Sequence, residues 1–172
     1  MNYADLKITD TTNGEGFGVS LFVSGCRHHC KGCFNSQTWD FNYGMPFTQN
    51  EIDVIIELLD RDYVDFFSIL GGEPFEPENA PEVYNLVKIV RDKLPNIEIN
   101  IWSGSVYEDL IKNDLNKSIL ELCDILVDGR FIESKRNLKL FLRGSENQRV
   151  IDLKKTFESG EVILSRFNSC LA

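Results

Sequence analysis

Short apolar runs alternate along this chain with longer segments of helical periodicity. Buried strands are predicted for the apolar runs at residues 19–23, 66–70, 97–102, 125–127 and 138–142. Each run is short and is rich in β-branched, aromatic or leucine side chains. Their lengths suit strands better than helices.

Three segments between the predicted strands have the spacing of amphipathic helices. After Pro46, Thr48 is suited to cap a helix, because Glu51 follows three residues later and Ile52, Ile55, Ile56 and Leu59 recur on one face. Segment 81–94 repeats this pattern, and segment 106–122 is also expected to be helical.

Polar residues and glycines follow every predicted strand. These strand ends are Ser24-Gly25, Gly71-Gly72, Ser103-Gly104, Asp128-Gly129 and Arg143-Gly144. Strands that alternate with helices predict an α/β fold with a mostly parallel sheet, whose strands share one carboxyl edge. Sites in such folds form along that edge, so the CxxxCxxC, GGEP, WSG, DG and RGS segments are expected to converge there.

Length and composition are those of an ordinary globular protein. The chain has 172 residues, 42% of them hydrophobic and 26% charged, and without an evident linker we expect a single domain over residues 1–172. A net charge of -9 opposes nucleic-acid binding. The chain shows neither a secretory signal nor an apolar stretch of membrane-spanning length, so a cytoplasmic location without membrane contact is expected.

The cysteines suggest metal chemistry. The chain has five, and Cys26, Cys30 and Cys33 lie within eight residues, too close for useful disulfides. Thiolates suit iron–sulfur clusters and zinc. Three ligands would leave one iron of a four-iron cluster open to another ligand, whereas a structural zinc site needs four protein ligands.

A zinc-binding module without catalysis is the alternative from another functional class. It would recruit His28 or His29 as the fourth ligand. Otherwise both histidines are expected to be exposed loop residues that point away from the metal.

The CxxxCxxC loop after a first strand, with Gly71-Gly72-Glu73-Pro74 one βα unit later, resembles the radical S-adenosylmethionine superfamily. The resemblance implies a 4Fe-4S cluster on Cys26, Cys30 and Cys33, and an open β/α barrel. It also implies reductive cleavage of S-adenosylmethionine to methionine and a 5'-deoxyadenosyl radical. Cofactor contacts are then predicted for Gly32, Cys33, Phe34, Gly71, Gly72, Glu73 and Ser103. Gly32 stands where many relatives have an aromatic residue, and Phe34 is expected either to contact adenine or to pack at the base of the loop.

Further segments resemble one subgroup, the activating proteins of anaerobic (class III) ribonucleoside-triphosphate reductases. The similar segments are Asn13-Gly14 with Gly16, residues 21–33, Asn35, Thr38-Trp39, Trp102-Ser103-Gly104, Val127-Asp128-Gly129 with Phe131, and Arg143-Gly144-Ser145 with Asn147-Gln148-Arg149. This resemblance implies that the substrate is the large reductase subunit, on which a glycyl radical is formed. It also implies a flavodoxin-type electron donor. An activator of pyruvate formate-lyase, or an enzyme of a small molecule, is the alternative within the superfamily.

Some positions depart from the subgroup or have two interpretations. Glu15 stands where proline is frequent, and Gly18 where arginine is common. Either a turn or a contact with cofactor or partner would explain the polar residues Asp128, Arg143, Asn147, Gln148 and Arg149. Cys123 is expected to be a buried small hydrophobe, and nothing ties Cys170 to the cluster.

Overall fold

Seven strands form one sheet over the residues that the computed structural model describes, which are 1–169 and 171. Along the chain they are β1 (Asn2–Asp10), β2 (Gly18–Val23), β3 (Met45–Pro46), β4 (Phe66–Gly71), β5 (Glu98–Trp102), β6 (Ile125–Asp128) and β7 (Arg149–Asp152). Across the sheet their order is β3-β1-β2-β4-β5-β6-β7. The predicted mixed α/β class is therefore confirmed, with an open sheet bounded by β3 and β7.

The centre of this sheet is parallel and its margins are antiparallel. Strands β2, β4, β5 and β6 pair in parallel, whereas β1 pairs antiparallel with both β2 and β3, and β7 with β6. The four parallel strands share one carboxyl edge, as predicted. Because β7 runs in the opposite direction, its first residue lies at that same edge.

The helices pack against one face of the sheet. They are α1 (Gln49–Leu59), α2 (Ala80–Lys93), α3 (Tyr107–Leu110), α4 (Asp114–Leu122) and α5 (Leu153–Ser159). Their buried side chains join alternate residues of the strands, such as Leu21, Ile69 and Ile101, in one hydrophobic core. None of the helices in the described part of the chain is both long and apolar enough to cross a membrane.

The start of α1 was predicted correctly. The Thr48 side chain accepts a hydrogen bond from the Asn50 N–H, and the Glu51 carboxylate accepts one from the Thr48 N–H at 2.7 Å. These bonds satisfy N–H groups that have no partner within the helix. The predicted helix at 106–122, by contrast, is two helices, because Asn113 caps α4 by accepting from the Asn116 N–H at 3.0 Å.

The strand predicted at residues 138–142 is wrong. Apart from an isolated bridge between Leu140 and Leu171, these residues form turns and bends. Leu138 is 66% exposed, and Leu142 has a φ of 61°. Strand β7 follows β6 instead, and its Val150 and Ile151 are fully buried. Strand β7 occupies the edge of β6, so residues 138–142 do not pair with β6.

Strand β1 was not predicted. Its burial does not alternate, because exposed residues occupy most positions between the buried Tyr3 and Asp10. A strand near the margin of a sheet packs few side chains, so its hydrophobic signal is weak. Its hydrogen bonds to β2 and β3 specify it instead.

The Asp10 carboxylate organises the turn after β1. It accepts hydrogen bonds from Thr12, Asn13 and Ser20, the last at 2.5 Å. Ser20 lies on the sheet face opposite the helices, and Ser68 on the same face donates to the Asn13 carbonyl at 2.6 Å. The turn therefore covers part of this second face.

We expect Asp10 to contribute to stability in a manner that depends on pH. Burial alone would raise the pKa of Asp10, but the hydrogen bonds from Ser20, Thr12 and Asn13 outweigh it and lower the pKa from 3.8 to about 2. Because the folded-state pKa is depressed, the contribution is complete above about pH 4 and is lost as the pH falls towards 2. It should decline by about 1 kcal/mol between pH 5 and pH 3.

Urea unfolding of the parent and of Asp10→Asn at both pH values measures this contribution. The stability difference between them should shrink by about 1 kcal/mol at pH 3. Replacement of the exposed Asp62 by Asn is the control and should leave the acid dependence unchanged. A constant difference between parent and Asp10→Asn would contradict the assignment.

Candidate metal and cofactor site

The cysteine loop begins directly after β2, where backbone hydrogen bonds hold its first residues. The Gly25 N–H donates to the Thr38 carbonyl at 2.8 Å, and the Cys26 N–H to the Trp39 carbonyl at 3.2 Å. Gly25 has a φ of 97°, and a Cβ there would lie 2.2 Å from the ring of Phe41. Position 25 therefore requires glycine, both for its backbone conformation and for this contact.

Two of the three sulfur atoms are sheltered. Burial raises the pKa of the Cys26 thiol to about 11, although the backbone N–H groups of His28 and His29 donate to this sulfur. Burial also raises the pKa of the Cys30 thiol, against a hydrogen bond from the Phe131 N–H. Such thiols remain protonated at neutral pH unless a bound cation stabilises the thiolate. The raised pKa values argue against nucleophilic free-thiol chemistry for either cysteine.

Arg27 anchors the loop to the segment that follows β4. Its backbone N–H donates to the Glu76 carboxylate at 2.8 Å, and its guanidinium donates to Glu76 and Glu78 at 2.5 Å. The guanidinium also lies 4.4 Å from the ring centroid of Phe41. This arrangement holds the backbone immediately after Cys26 through contacts within the chain alone.

The two histidines of the loop have different surroundings. His28 is half-buried, and its Nε2 lies 2.8 Å from a carboxylate oxygen of Glu73, to which it must donate because a carboxylate only accepts. The prediction that His28 is an exposed loop residue is therefore wrong. His29 is exposed, has a φ of 47°, and stacks on Trp39 with ring centroids 4.5 Å apart.

The glycines of the GGEP segment allow β4 to approach the cysteine loop. Gly71 has a φ of 100°, and a Cβ there would lie 2.8 Å from the Val23 carbonyl oxygen. A Cβ at Gly72 would lie 2.6 Å from the Gly25 carbonyl oxygen. Two hydrogen bonds run between these segments, from the Gly72 N–H to Val23 at 2.7 Å and from the Glu73 N–H to Gly25 at 2.8 Å. The contact between two main chains explains both glycines.

Glu73 is only 3% exposed, and its side chain joins three segments of the chain. It accepts from His28 in the cysteine loop at 2.8 Å and from the Phe75 N–H, next to its own segment, at 3.1 Å. At the end of β5 it accepts from the Ser103 hydroxyl at 3.0 Å and from the Gly104 N–H at 2.8 Å. Both oxygens thus have two or more donors, and the carboxylate's hydrogen-bonding capacity is filled within the chain.

One cavity of about 520 Å³ lies at the carboxyl edge of the parallel strands. Of the residues predicted from sequence, its wall includes Cys26, Cys30, Cys33, Phe34, Gly71, Gly72, Glu73 and Ser103. Gly32 is not on the wall, and its φ of 74° places it in a turn beside Glu133. Phe34 lies on the wall and packs against Phe131, with ring centroids 5.1 Å apart.

The three cysteines form a donor set that suits an iron–sulfur cluster. No group of three His, Cys, Asp or Glu residues in the described part of the chain converges closely enough to hold one metal ion. Three sulfurs bound to one zinc would each lie about 2.3 Å from it. In a four-iron cluster each cysteine binds a different iron, so the sulfurs stand farther apart. All three cysteines lie on the wall of one cavity.

The DG segment at the end of β6 is held by charged partners. Asp128 is buried and accepts from the Tyr107 N–H at 2.8 Å and from Arg149 Nε at 2.9 Å. Arg149 also donates to Glu108 at 2.8 Å. The side chains of Asp128 and Arg149 therefore hold β6, β7 and α3 together.

Side chains of the RGSENQR segment form hydrogen bonds that stabilise the turn in which they lie. The Gln148 side chain accepts from the Gly144 N–H at 3.0 Å and donates to the Gly129 carbonyl at 2.9 Å. Arg143 donates to the Gln148 and Asn168 carbonyls, and Asn147 donates to the Arg130 carbonyl at 2.8 Å. Sequence reasoning left these roles open, because only the fold shows which carbonyls lie within reach.

Several further residues of the cavity were not named as cofactor contacts from the sequence. Trp102 lies on the wall, and its indole N–H donates to the Leu142 carbonyl at 2.9 Å. Thr12 and Asn13 also line the cavity because the turn after β1 crosses the face opposite the helices. The WSG segment was expected at this edge of the sheet, but Trp102 itself was not singled out as a contact. No local signal pointed to Thr12.

The two departures from the subgroup have local explanations. A Cβ at Gly18 would lie 2.4 Å from the ring of Phe66, so a side chain there would require Phe66 to move. Glu15 pairs with Arg166 near the end of the chain. That contact lowers the pKa of the Glu15 carboxyl, chiefly through the hydrogen bond from Arg166.

The remaining cysteines lie apart from the cavity or outside the described residues. Cys123 is 5% exposed and belongs to the core beside the helices, where burial raises the pKa of its thiol. It borders a second cavity of about 500 Å³. Cys170 lies outside the described residues.

Comparison with known proteins places this site in a family. Residues 12–151 match the family model described as a 4Fe-4S single cluster domain. The chain is 38% identical over 156 residues to the anaerobic ribonucleoside-triphosphate reductase-activating protein of Escherichia coli (strain K12), covering 90% of this chain and 100% of that protein.

Proteins of the same name from two other sources are similar to the chain. The protein of Enterobacteria phage T4 is 36% identical over 150 residues, covering 87% of this chain and 93% of that protein. The protein of Vibrio cholerae serotype O1 is 39% identical over 150 residues, covering 86% of this chain and 96% of that protein. The chain belongs to the family of anaerobic ribonucleoside-triphosphate reductase-activating proteins and contains its 4Fe-4S single cluster domain.

Proposed function

We propose that this protein activates an anaerobic ribonucleoside-triphosphate reductase by generating a glycyl radical on it. The reaction would be driven by reductive cleavage of S-adenosylmethionine at a 4Fe-4S cluster. The observation that carries the proposal is the cavity that brings Cys26, Cys30 and Cys33 together with the ends of β4 and β5. Family membership supplies the cluster domain and names the reductase as partner.

The three cysteines are proposed as the protein ligands of the cluster. Three thiolates leave one iron without a protein ligand, which is the position where S-adenosylmethionine would bind. Together, cluster and S-adenosylmethionine supply one-electron cleavage of the sulfonium bond, and the protein supplies binding, orientation and shelter from solvent. A flavodoxin-type protein is the proposed electron donor, and residues 1–172 are proposed to act as one radical S-adenosylmethionine domain of the open-barrel type.

The ends of β4 and β5 are proposed to bind the amino-acid part of S-adenosylmethionine. Gly71, Gly72 and Ser103 lie on the same wall as the cysteines. The Glu73 carboxylate already accepts hydrogen bonds at both oxygens, so its proposed role is to position His28 and Ser103 beside the cofactor. Backbone carbonyls, rather than this carboxylate, are then the acceptors left for the cofactor's amino group.

Aromatic and apolar side chains complete the proposed cofactor pocket. Phe22, Leu70, Trp102 and Leu142 all lie on the cavity wall, where they limit contact with water. Phe34 remains a proposed adenine contact, because it lines the wall beside Phe131. Gly32 lies off the wall, so its proposed contribution is the tight turn between the second and third cysteines.

Replacement of Cys26, Cys30 or Cys33 by alanine should abolish formation of 5'-deoxyadenosine. Each change removes one cluster ligand, and iron and sulfide content should fall with it. Folding should persist, because the loop is also held by Arg27 and His28. Circular dichroism and iron analysis of purified variants check both statements. Cys123→Ala is the control and should retain its iron, and full activity in any loop variant would refute the ligand assignment.

Variants of His28 distinguish a cluster from a zinc module. His28→Gln preserves a donor towards Glu73, so this variant should retain iron and sulfide. His28→Leu removes the donor and should lower the free energy of unfolding by about 1–3 kcal/mol, because a buried carboxylate loses a partner. His29→Asn is the matched control, since asparagine tolerates positive φ. Loss of metal from His28→Gln would instead indicate that the histidine is a ligand.

The decisive assay is anaerobic. The protein is reconstituted with iron and sulfide and reduced, and 5'-deoxyadenosine is measured with and without the reductase. Product formation together with a glycyl-radical resonance in the reductase is the expected result. Cleavage without that resonance would overturn the reductase as the substrate, and a cluster-loaded protein that cleaves nothing would overturn the radical chemistry as well.

A further inference from the structure

A basic segment borders the cavity of this acidic protein. Residues 130–143, between β6 and β7, contain five of the chain's 18 Lys and Arg residues but one of its 27 Asp and Glu residues. The segment therefore has a net charge of +4, although the chain as a whole has -9. We call this segment together with Phe34 the basic rim.

The basic rim also exposes large apolar side chains. Leu138 is 66% exposed, Phe34 is 52% exposed and Ile132 is 38% exposed. Leu138 and Phe34 line the cavity as well, so the apolar surface continues from the rim into the cavity. Adjacent exposed apolar side chains that lead into a cavity indicate a binding surface more strongly than isolated ones do.

Two lysine side chains of the basic rim have no bonding partner within the described part of the chain. Lys135 and Lys139 make neither a hydrogen bond nor an ion pair through their side chains there. Arg136 lies over the ring of Phe34, 5.0 Å from its centroid, and so places a cation beside an exposed apolar group. Arginine next to an aromatic ring is a composition typical of protein interfaces.

We propose that the basic rim is the docking surface for the reductase and that it receives a segment with acidic side chains beside apolar ones. The inference rests on the proposed function, because the glycine that loses hydrogen must reach the cavity and its chain must therefore cross the rim. The partner segment is proposed to be acidic, because negative side chains are attracted by the positive rim. The rest of this acidic chain would repel them. Attraction at one place and repulsion elsewhere would orient the partner during its approach.

The test reverses charge at the rim and measures binding to the anaerobic reductase of the same organism. Cluster-loaded parent and the double variant Lys135→Glu/Lys139→Glu are titrated with the reductase at low and at high salt. The variant should bind about 10-fold to 100-fold more weakly at low salt. The difference from the parent should narrow at high salt, because ions screen exposed charges.

The matched control is the double variant Lys88→Glu/Lys154→Glu, which makes the same change in net charge on the exposed surfaces of α2 and α5. It should bind within about twofold of the parent, since these helices lie on the other side of the sheet. Leu138→Ser tests the apolar part and should weaken binding at both salt concentrations alike. Formation of 5'-deoxyadenosine without the reductase should be unchanged in both charge variants.

The possible results separate this inference from the function on which it rests. Equal binding by the parent and the rim variant, or equal weakening by the control pair, would overturn the docking surface while the proposed function stands. A parent that cleaves S-adenosylmethionine but neither binds the reductase nor forms its glycyl radical would overturn both. Weakened binding confined to the rim variants is the result that the proposal requires.

Discussion

The buried Glu73 carboxylate is the interaction on which the arrangement of the cavity depends. It accepts hydrogen bonds from the cysteine loop through His28 and from the end of β5 through Ser103 and Gly104. A buried carboxylate is unfavourable without donors, so the three segments must remain close to satisfy it. Three chain segments far apart in sequence are thereby held around one cavity.

Close contact between main chains reinforces that arrangement. Gly71 and Gly72 pack against the backbone of Val23 and Gly25, where a Cβ would overlap a carbonyl oxygen. Arg27 fixes the loop a second time through Glu76. The cysteine loop is therefore attached at both its backbone and its side chains to β4 and the segment after it. Preorganisation of this kind lowers the conformational entropy that a loop loses when it binds a cofactor.

The two faces of the sheet are covered by different kinds of structure. Helices cover one face and form the hydrophobic core with residues such as Leu21 and Ile69. The other face carries the buried hydroxyls of Ser20 and Ser68, which are satisfied by the turn after β1. Covering one face with turns instead of helices leaves room for a cavity above the polar layer. The same asymmetry leaves the basic rim at the cavity mouth.

The sequence by itself determined the features that depend on local rules. Hydrophobic runs located the central strands β2, β4, β5 and β6, and the Thr48 cap located the start of α1, because both signals come from neighbouring residues. The cysteine spacing indicated metal chemistry in the same local way. The carboxyl edge of the parallel strands then predicted that the loop, the GGEP segment and the WSG segment would meet.

Only the tertiary structure decided what depends on distant partners. Strand β1 has a weak hydrophobic pattern and is specified by its hydrogen bonds to β2. Residues 138–142 do not pair with β6, because β7 occupies that edge. The roles of His28 and Glu73 likewise follow from a contact between residues 45 positions apart. Hydrogen bonds across such separations depend on which groups the fold brings within about 3 Å of each other. The local sequence does not encode that proximity.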